Sequence, residues 1–141
     1  MVSNLSSIFI NASKERVWNV ISNPALVKGW QYGSELITSW EPGTPIRFRT
    51  PWQGQVFEQW GTVRAFRPHE ELSYSLFAPR AGLDDQPENY FVMIYRLEEA
   101  DGGTKLTILQ EDGRSVAVQK EPEGEENPVL QALKGLAEAA R

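Results

Sequence analysis

The chain has no cysteine and only one histidine, His69. Without thiols it can form neither a disulfide nor a thiolate metal site, and it has no cysteine nucleophile. A single histidine excludes a histidine-rich metal site and any triad built on histidine. Because His69 follows Pro68 in a turn and no neighbour in the sequence orients it, we interpret it as a surface residue and not as a general base.

Long apolar runs and an excess of positive charge are also lacking. No apolar run approaches the roughly 20 residues that a membrane-spanning helix needs, and residues 1–7 have no basic flank. We therefore expect no membrane span, no secretory signal and a cytoplasmic location. The net charge of −5 disfavours binding to nucleic acid and to anionic membranes. The length predicts one domain over residues 1–141, which should bury about two-thirds of its unfolded surface.

Helix signals stand near both ends of the chain. Ser13 is placed to cap a first helix, and the residue before Pro24 should end it, because a proline disfavours the helical conformation of its predecessor. A short helical turn is expected to follow. A long last helix is predicted to begin at Pro128, with Asn127 as its cap. Its apolar residues recur at helical spacing and consist of Val129, Leu130, Leu133, Leu136, Ala137 and Ala140.

Between these helices the apolar residues alternate with a period of two, which predicts strands joined by hairpin turns. The predicted strands cover residues 35–40, 46–49, 55–66, 72–76, 90–98 and 104–110, after a short first strand at 7–10. Gly61 inside the long third segment indicates a bulge or bend. Residues 111–126 form an acidic segment rich in turn residues. Helices on one side of an antiparallel sheet define an α+β fold and leave room for a pocket.

The order and spacing of these elements resemble the helix-grip, START-like fold of the SRPBCC superfamily, in the branch named after the activator of the heat-shock chaperone ATPase. The stretches that carry the resemblance are Ile10-Asn11-Ala12-Ser13 with Val17-Trp18, Asn23-Pro24 with Trp30, Gly61-Thr62-Val63 with Pro68 and Leu72-Ser73-Tyr74, Tyr95-Arg96-Leu97-Glu98, and Gly102-Gly103-Thr104-Lys105-Leu106-Thr107. The resemblance implies a curved antiparallel sheet of about six to seven strands wrapped around a long C-terminal helix, with short N-terminal helices. Members of this superfamily often have a cavity between sheet and helix for an apolar or amphipathic molecule, and the resemblance implies that one is expected here.

The chain departs from the family pattern in two places. Gln110-Glu111-Asp112-Gly113 replaces the segment that commonly follows the last strand, and no tryptophan occurs after Trp60. The resemblance therefore does not predict the far end of the pocket.

Aromatic residues are the main candidates for a binding site. For any single ring, core packing is the simpler interpretation. Their number nevertheless exceeds what one buried face accommodates, which favours a ligand pocket or an apolar surface for a partner. The predicted ligand-binding residues are Trp18, Trp30, Phe48, Phe57, Tyr74, Phe91, Tyr95 and Leu133.

Charged residues on strands leave a question of orientation open. In a simple sheet Arg47, Arg49 and Glu58 point to solvent and pair across strands. If bends reverse the alternation, one of them enters the cavity, where burial shifts its pKa. The acidic loop around residues 84–88 lacks the regular ligand spacing of a calcium site, so we interpret it as solvated.

Three functions are consistent with this sequence. The favoured one is a small cytoplasmic protein that binds an apolar or amphipathic molecule between sheet and C-terminal helix, with no metal or cofactor. The first alternative is an enzyme of the cyclase or dehydratase type that uses Glu58, Tyr74 or Tyr95 as acid or base. The second is an interaction module that acts on a chaperone or on itself as a homodimer, which exposed Trp40 and Trp52 side chains would favour.

Overall fold

The computed structural model of the protein describes residues 1–139. It contains three α-helices and seven β-strands. The helices are α1 (Lys14–Ser22), α2 (Pro24–Val27) and α3 (Pro128–Ala139), and the strands are β1 (Val2–Ile10), β2 (Glu35–Thr38), β3 (Pro45–Trp52), β4 (Gln55–Arg67), β5 (Glu71–Phe77), β6 (Phe91–Ala100) and β7 (Gly103–Asp112). Ala140, which we assigned to the apolar face of the last helix, lies outside the described residues.

The predicted caps are present at the helix ends. Ser13 Oγ accepts a hydrogen bond from the backbone N–H of Arg16 at 3.1 Å. Asn23 ends α1 and caps α2, because its Oδ1 accepts from the N–H of Ala25 at 3.0 Å. Asn127 Oδ1 accepts from two free amides in the first turn of α3 at 2.9 and 3.2 Å. Each cap satisfies donors that have no partner within the helix, so the helix boundaries follow from local sequence.

All seven strands form one antiparallel sheet with the order β1-β7-β6-β5-β4-β3-β2. Strand β1 is longer than predicted, because it pairs with β7 from Ile10 opposite Thr104 to Val2 opposite Asp112. The acidic segment covers its outer edge, where Ser7 and Glu123 share a backbone hydrogen bond of 2.9 Å. Such cover prevents an exposed strand edge from pairing with another chain.

The irregularity of the long strand β4 does not lie at Gly61. The pairing with β5 shifts between Val63 and Ala65, so Arg64 is the extra residue of the bulge. Gly61 is required for another reason, since a Cβ at this position would overlap the carbonyl oxygen of Ser75 on the neighbouring strand.

Helix α3 lies in the concave face of the sheet. Its side chains Leu130, Leu133 and Ala137 are buried in the core. Two basic side chains bind the helix to neighbouring elements. Lys134 Nζ donates to the carbonyl of Phe9 at 2.8 Å, and Arg16 Nη2 of α1 donates to the carbonyl of Leu136 in α3 at 2.9 Å. The predicted α+β helix-grip fold is therefore confirmed. Within residues 1–139, no helix has the length and apolar character to cross a bilayer.

Candidate ligand-binding cleft

Aromatic rings fill the inner end of the space between sheet and helices. Trp40 stacks on Phe66 with centroids 5.3 Å apart, and Phe48 contacts Tyr74 at 5.5 Å. Tyr74 in turn stacks on Tyr95 at 6.2 Å. The cavity left among these rings is about 10 Å³, room for no more than one water molecule. This end of the grip is core and not a binding site.

The outer end of the same space is an open cleft of about 340 Å³. It lies between the first turn of α3, the concave face of the sheet and the loop that follows α2. Apolar and aromatic lining is supplied by Trp30, Tyr32, Met93, Tyr95, Ile108, Val129 and Leu130. Polar lining is supplied by Ser6, Gln31, Ser34, Thr50, Gln59 and Asn127. Within residues 1–139, no charged side chain lines this cleft.

The loop after α2 is held in place at both of its ends. Trp30 Nε1 donates to the carbonyl of Val20 at 2.8 Å, and its ring meets Tyr95 edge-on at 6.4 Å. At the other end, the hydroxyls of Ser34 and Thr50 share a hydrogen bond of 2.7 Å. The wall formed by this loop is therefore fixed to helix α1 and to strand β3.

The two buried tyrosines are poor candidates for a catalytic base. Burial, together with the neighbouring Tyr95, raises the pKa of Tyr74 well above its usual value. Burial also raises the pKa of Tyr95, although a hydrogen bond with Tyr74 acts in the opposite direction. Both hydroxyls therefore stay protonated near neutral pH and can donate hydrogen bonds, but they cannot accept a proton as phenolates.

The eight predicted binding residues occupy different parts of the molecule. Trp30 and Tyr95 line the cleft. Phe48, Tyr74 and Leu133 are buried in the core next to it. Two of the predicted residues therefore line the cleft, and three belong to the core beside it.

Two more of the eight are buried elsewhere. Trp18 packs on Phe66 at 5.2 Å and on the ring of His69 at 6.2 Å. His69 itself is exposed in its turn, as predicted. Phe91 lies beneath Arg114, whose guanidinium carbon is 4.5 Å from the ring centroid.

The last of the eight, Phe57, is 51% exposed near the turn between β3 and β4. Trp52 in the same hairpin is 61% exposed. Trp40 is not exposed in this way, because it stacks on Phe66 and its Nε1 donates to the carbonyl of Ser22 at 2.8 Å. Of the two tryptophans named for the interaction hypothesis, only Trp52 is at the surface.

Glu58 lies on the convex face of the sheet, away from the cleft. Its two carboxylate oxygens accept hydrogen bonds from Arg47 at 2.7 Å and from Arg49 at 3.0 Å. Register explains this orientation, since Glu58 is paired with Arg49 while the next residue, Gln59, is paired with the buried Phe48. The interpretation that these charges point to solvent and pair across strands is confirmed, and Glu58 cannot act in the cleft.

Part of the aromatic surplus is explained by a second cluster on the convex face. Phe77 packs between Trp60 at 5.4 Å and Tyr90 at 5.5 Å. Asp85 closes the loop over them, because its oxygens accept from Trp60 Nε1 at 3.0 Å and from the Tyr90 hydroxyl at 2.7 Å. Two donors therefore occupy this loop carboxylate.

Nowhere in the described range do three metal-ligating side chains come together.

Several lining residues were missed by the sequence analysis. Met93 and Ile108 share the concave face with Tyr95, since Met93 is two residues away on β6 and Ile108 is paired with Tyr95 on β7. Gln59 reaches the cleft from β4. Alternation along β6 could have predicted Met93, but Ile108 and Gln59 depend on register between strands.

A curved antiparallel sheet that grips a C-terminal helix, with a cleft between the two, defines a START-like helix-grip protein. The family model described as Activator of Hsp90 ATPase homolog 1-like protein matches residues 11–140, so the chain belongs to this family. The branch that the resemblance indicated is thereby confirmed.

Solved structures support the same fold. The solution structure of a Cytophaga hutchinsonii protein has a TM-score of 0.68 and 29% sequence identity, over 82% of this chain and 80% of that one. A Chromobacterium violaceum protein has a TM-score of 0.71 and 21% identity, over 96% and 94% of the two chains. A Mesorhizobium loti protein has a TM-score of 0.70 and 18% identity, over 99% and 98%. No protein of curated function matches the sequence.

Proposed function

We propose that the protein binds an uncharged apolar or amphipathic small molecule in the cleft between the sheet and the first turn of α3. The observation that carries this proposal is a cleft of about 340 Å³ whose lining combines aromatic and aliphatic surface with neutral polar groups only. Its volume lies at the lower end of the range typical of small-molecule sites, roughly 300–1,000 Å³. We further propose that residues 1–141 act as one domain and that the protein is cytoplasmic.

The absence of charge from the lining of the described cleft sets the class of ligand. An ionised carboxylate or ammonium that enters it loses water and meets no opposite charge, which costs several kcal/mol. A hydroxyl, carbonyl or amide group can instead bond to the side chains of Gln31 and Gln59, or to the hydroxyl pair of Ser34 and Thr50. The rings of Trp30 and Tyr95 offer a flat apolar surface to the remainder of the ligand.

Titration with an uncharged dye tests the proposal. We expect the fluorescence of Nile red to rise on binding, and the anionic dye ANS to bind more weakly because its sulfonate finds no partner in the cleft. Ile108→Trp should reduce Nile red affinity by about tenfold or more, since the larger ring fills the cleft. Leu109→Trp is the matched control, because Leu109 is the next residue of β7 and faces the convex side.

The result that overturns the proposal is equal Nile red affinity of the two tryptophan variants, or no binding of Nile red by the native chain. The enzyme alternative has lost its carboxylate candidate, because Glu58 is bound to two arginines on the convex face. The raised pKa values of Tyr74 and Tyr95 disfavour a phenolate base. These observations favour binding over a mechanism that needs a general base.

A further inference from the structure

The hairpin of β3 and β4 ends in a protruding tip without charge. Residues 50–57 contain no Asp, Glu, Lys or Arg. The chain reverses at Gln53 and Gly54, which both have positive φ. Strand β2 pairs with β3 no further than Arg49, and β5 pairs with β4 only from Trp60. Within residues 1–139, no other strand flanks the tip, and its apolar side chains stay in contact with solvent.

Four side chains make this surface apolar, and we refer to them as the apolar rim. They are Tyr32, Trp52, Val56 and Phe57, which are 73%, 61%, 52% and 51% exposed. Since aromatic side chains have about 150–250 Å² each, the rim presents roughly 300–500 Å² of surface. A patch of this size on a monomer is often functional.

The aromatic residues of the apolar rim lie on the side of the cleft. Tyr32 lines the cleft, and two residues later the Ser34 hydroxyl is bound to Thr50 at the base of the tip. Thr50 is paired directly with Phe57. Strand alternation places Trp52 and Phe57 on the concave side, the side to which the cleft opens, and Val56 on the opposite side of the same tip.

We propose that the apolar rim docks on the surface of a zwitterionic lipid bilayer, so that an uncharged ligand passes between the bilayer and the cleft without crossing water. This inference rests on the proposed function for the identity of the cargo. Docking itself is independent of any ligand.

Charge is the first argument for this partner. The charged residues nearest the tip are two arginines and two glutamates that neutralise one another, with Arg49 bound to Glu58 at 3.0 Å and to Glu35 at 3.3 Å. No surplus of positive charge is left to attract anionic lipid, and the net charge of −5 opposes it. Tryptophan and tyrosine prefer the interface between water and lipid. A neutral aromatic tip therefore complements a neutral headgroup layer.

Area is the second argument, because it disfavours a second copy of the chain as the partner. A stable protein interface buries about 800 Å² on each side, so a second copy would have to bury polar surface around the apolar rim as well as the rim itself. A bilayer needs no complementary shape, and only the inserted side chains have to leave water.

Flotation with phosphatidylcholine vesicles tests the proposal. We expect the native protein to float with these vesicles and to float less when phosphatidylserine replaces part of the lipid. The double substitution Trp52→Ser with Phe57→Ser should lower the bound fraction by about tenfold, because it removes most of the inserted ring surface. Ile37→Ser is the matched control, since Ile37 is an exposed apolar residue on the edge strand β2 and outside the rim.

Three outcomes overturn the proposal: no flotation with phosphatidylcholine vesicles, equal flotation of the native and doubly substituted proteins, or binding only to vesicles that contain phosphatidylserine. Sedimentation velocity without lipid tests the competing partner, a second copy of the chain. Self-association that the double substitution abolishes would assign the rim to a homodimer and would also overturn the proposal. Nile red titration without vesicles separates the two proposals. A doubly substituted protein that keeps its Nile red affinity but no longer floats shows that docking and ligand binding are distinct.

Discussion

Arg114 and Asp112 form a bidentate ion pair in which both side chains are largely buried. Arg114 Nε and Nη2 donate to the two carboxylate oxygens of Asp112 at 2.8 and 2.7 Å. The guanidinium also lies over the ring of Phe91. Asp112 lies in the segment in which the chain departs from the family pattern and Arg114 directly follows that segment, so an ion pair and a cation–π contact close this end of the concave face.

Removal of one partner of this pair should be costly. Arg114→Met leaves the Asp112 carboxylate buried without its partner, and we expect a loss of about 3–5 kcal/mol in the free energy of unfolding. Urea denaturation measures this loss. Asp112→Leu combined with Arg114→Met removes both charges and should recover part of the stability, since a buried pair can be replaced by apolar side chains at little cost. A double variant that is less stable than Arg114→Met contradicts this account.

The same pair makes stability depend on pH in the acid range. Hydrogen bonds from Arg114 are the main cause that lowers the pKa of the Asp112 carboxyl, and burial opposes them. The unfolded carboxyl has its ordinary pKa of about 3.9. The stabilisation is therefore complete above that pH and is lost as the pH falls through the lower pKa of the folded state. As the pH falls from about 4 toward the folded pKa, the native protein should progressively lose stability relative to the variant without both charges, as measured by urea denaturation at several pH values.

Local sequence predicted the elements whose signals lie within a few residues. The cap at Asn127 and the proline after it mark the start of α3, and alternation marks the strands from β3 to β7. The length of β1 was not predictable in the same way, because Ser3 and Asn4 do not look like strand residues. They are held in place by β7, more than a hundred residues away in the chain.

The candidate site was predictable only in part, for a similar reason. Trp30 and Tyr95 were among the predicted residues and line the cleft, but the sequence does not show that Phe48 and Tyr74 fill the inner end of the grip. Nor does it show that the ring of Phe77 lies on the convex face beneath a loop held by Asp85. These facts depend on register and on side-chain packing across the sheet, which no local pattern encodes.

The buried tyrosines should limit stability at high pH. Burial raises the pKa of Tyr74 well above the unfolded value of about 10. The folded state therefore favours the neutral phenol, and this contribution is complete below pH 10 and is lost as the pH rises toward the folded pKa. Tyr74→Phe should reduce the alkaline loss of stability. Phenolate absorbance follows the titration, and ionisation of Tyr74 at its ordinary pKa in the folded protein contradicts this prediction.

Two glycines should respond to substitution by alanine in opposite directions. At Gly61 an added Cβ overlaps the Ser75 carbonyl oxygen, and because that oxygen belongs to the backbone of β5, the strands have to separate. We expect Gly61→Ala to lower the free energy of unfolding by about 1–3 kcal/mol. At Gly135, on the exposed side of α3, an added Cβ has no atom of residues 1–139 within 4 Å apart from its chain neighbours and the backbone of its own helix. Gly135→Ala should raise stability by roughly 0.5–1 kcal/mol, because alanine restricts the unfolded chain and favours the helix.

Thermal and urea denaturation of the two alanine variants check this contrast, since the same single methyl group is added in both. If Gly61→Ala is as stable as the native protein, β4 and β5 can separate at no cost and the close approach at Gly61 does not constrain the sheet. Loss of stability in Gly135→Ala would mean that the solvent-facing side of α3 is covered by another part of the protein. The sign of the two changes therefore tests the packing of the sheet and the placement of the gripping helix independently.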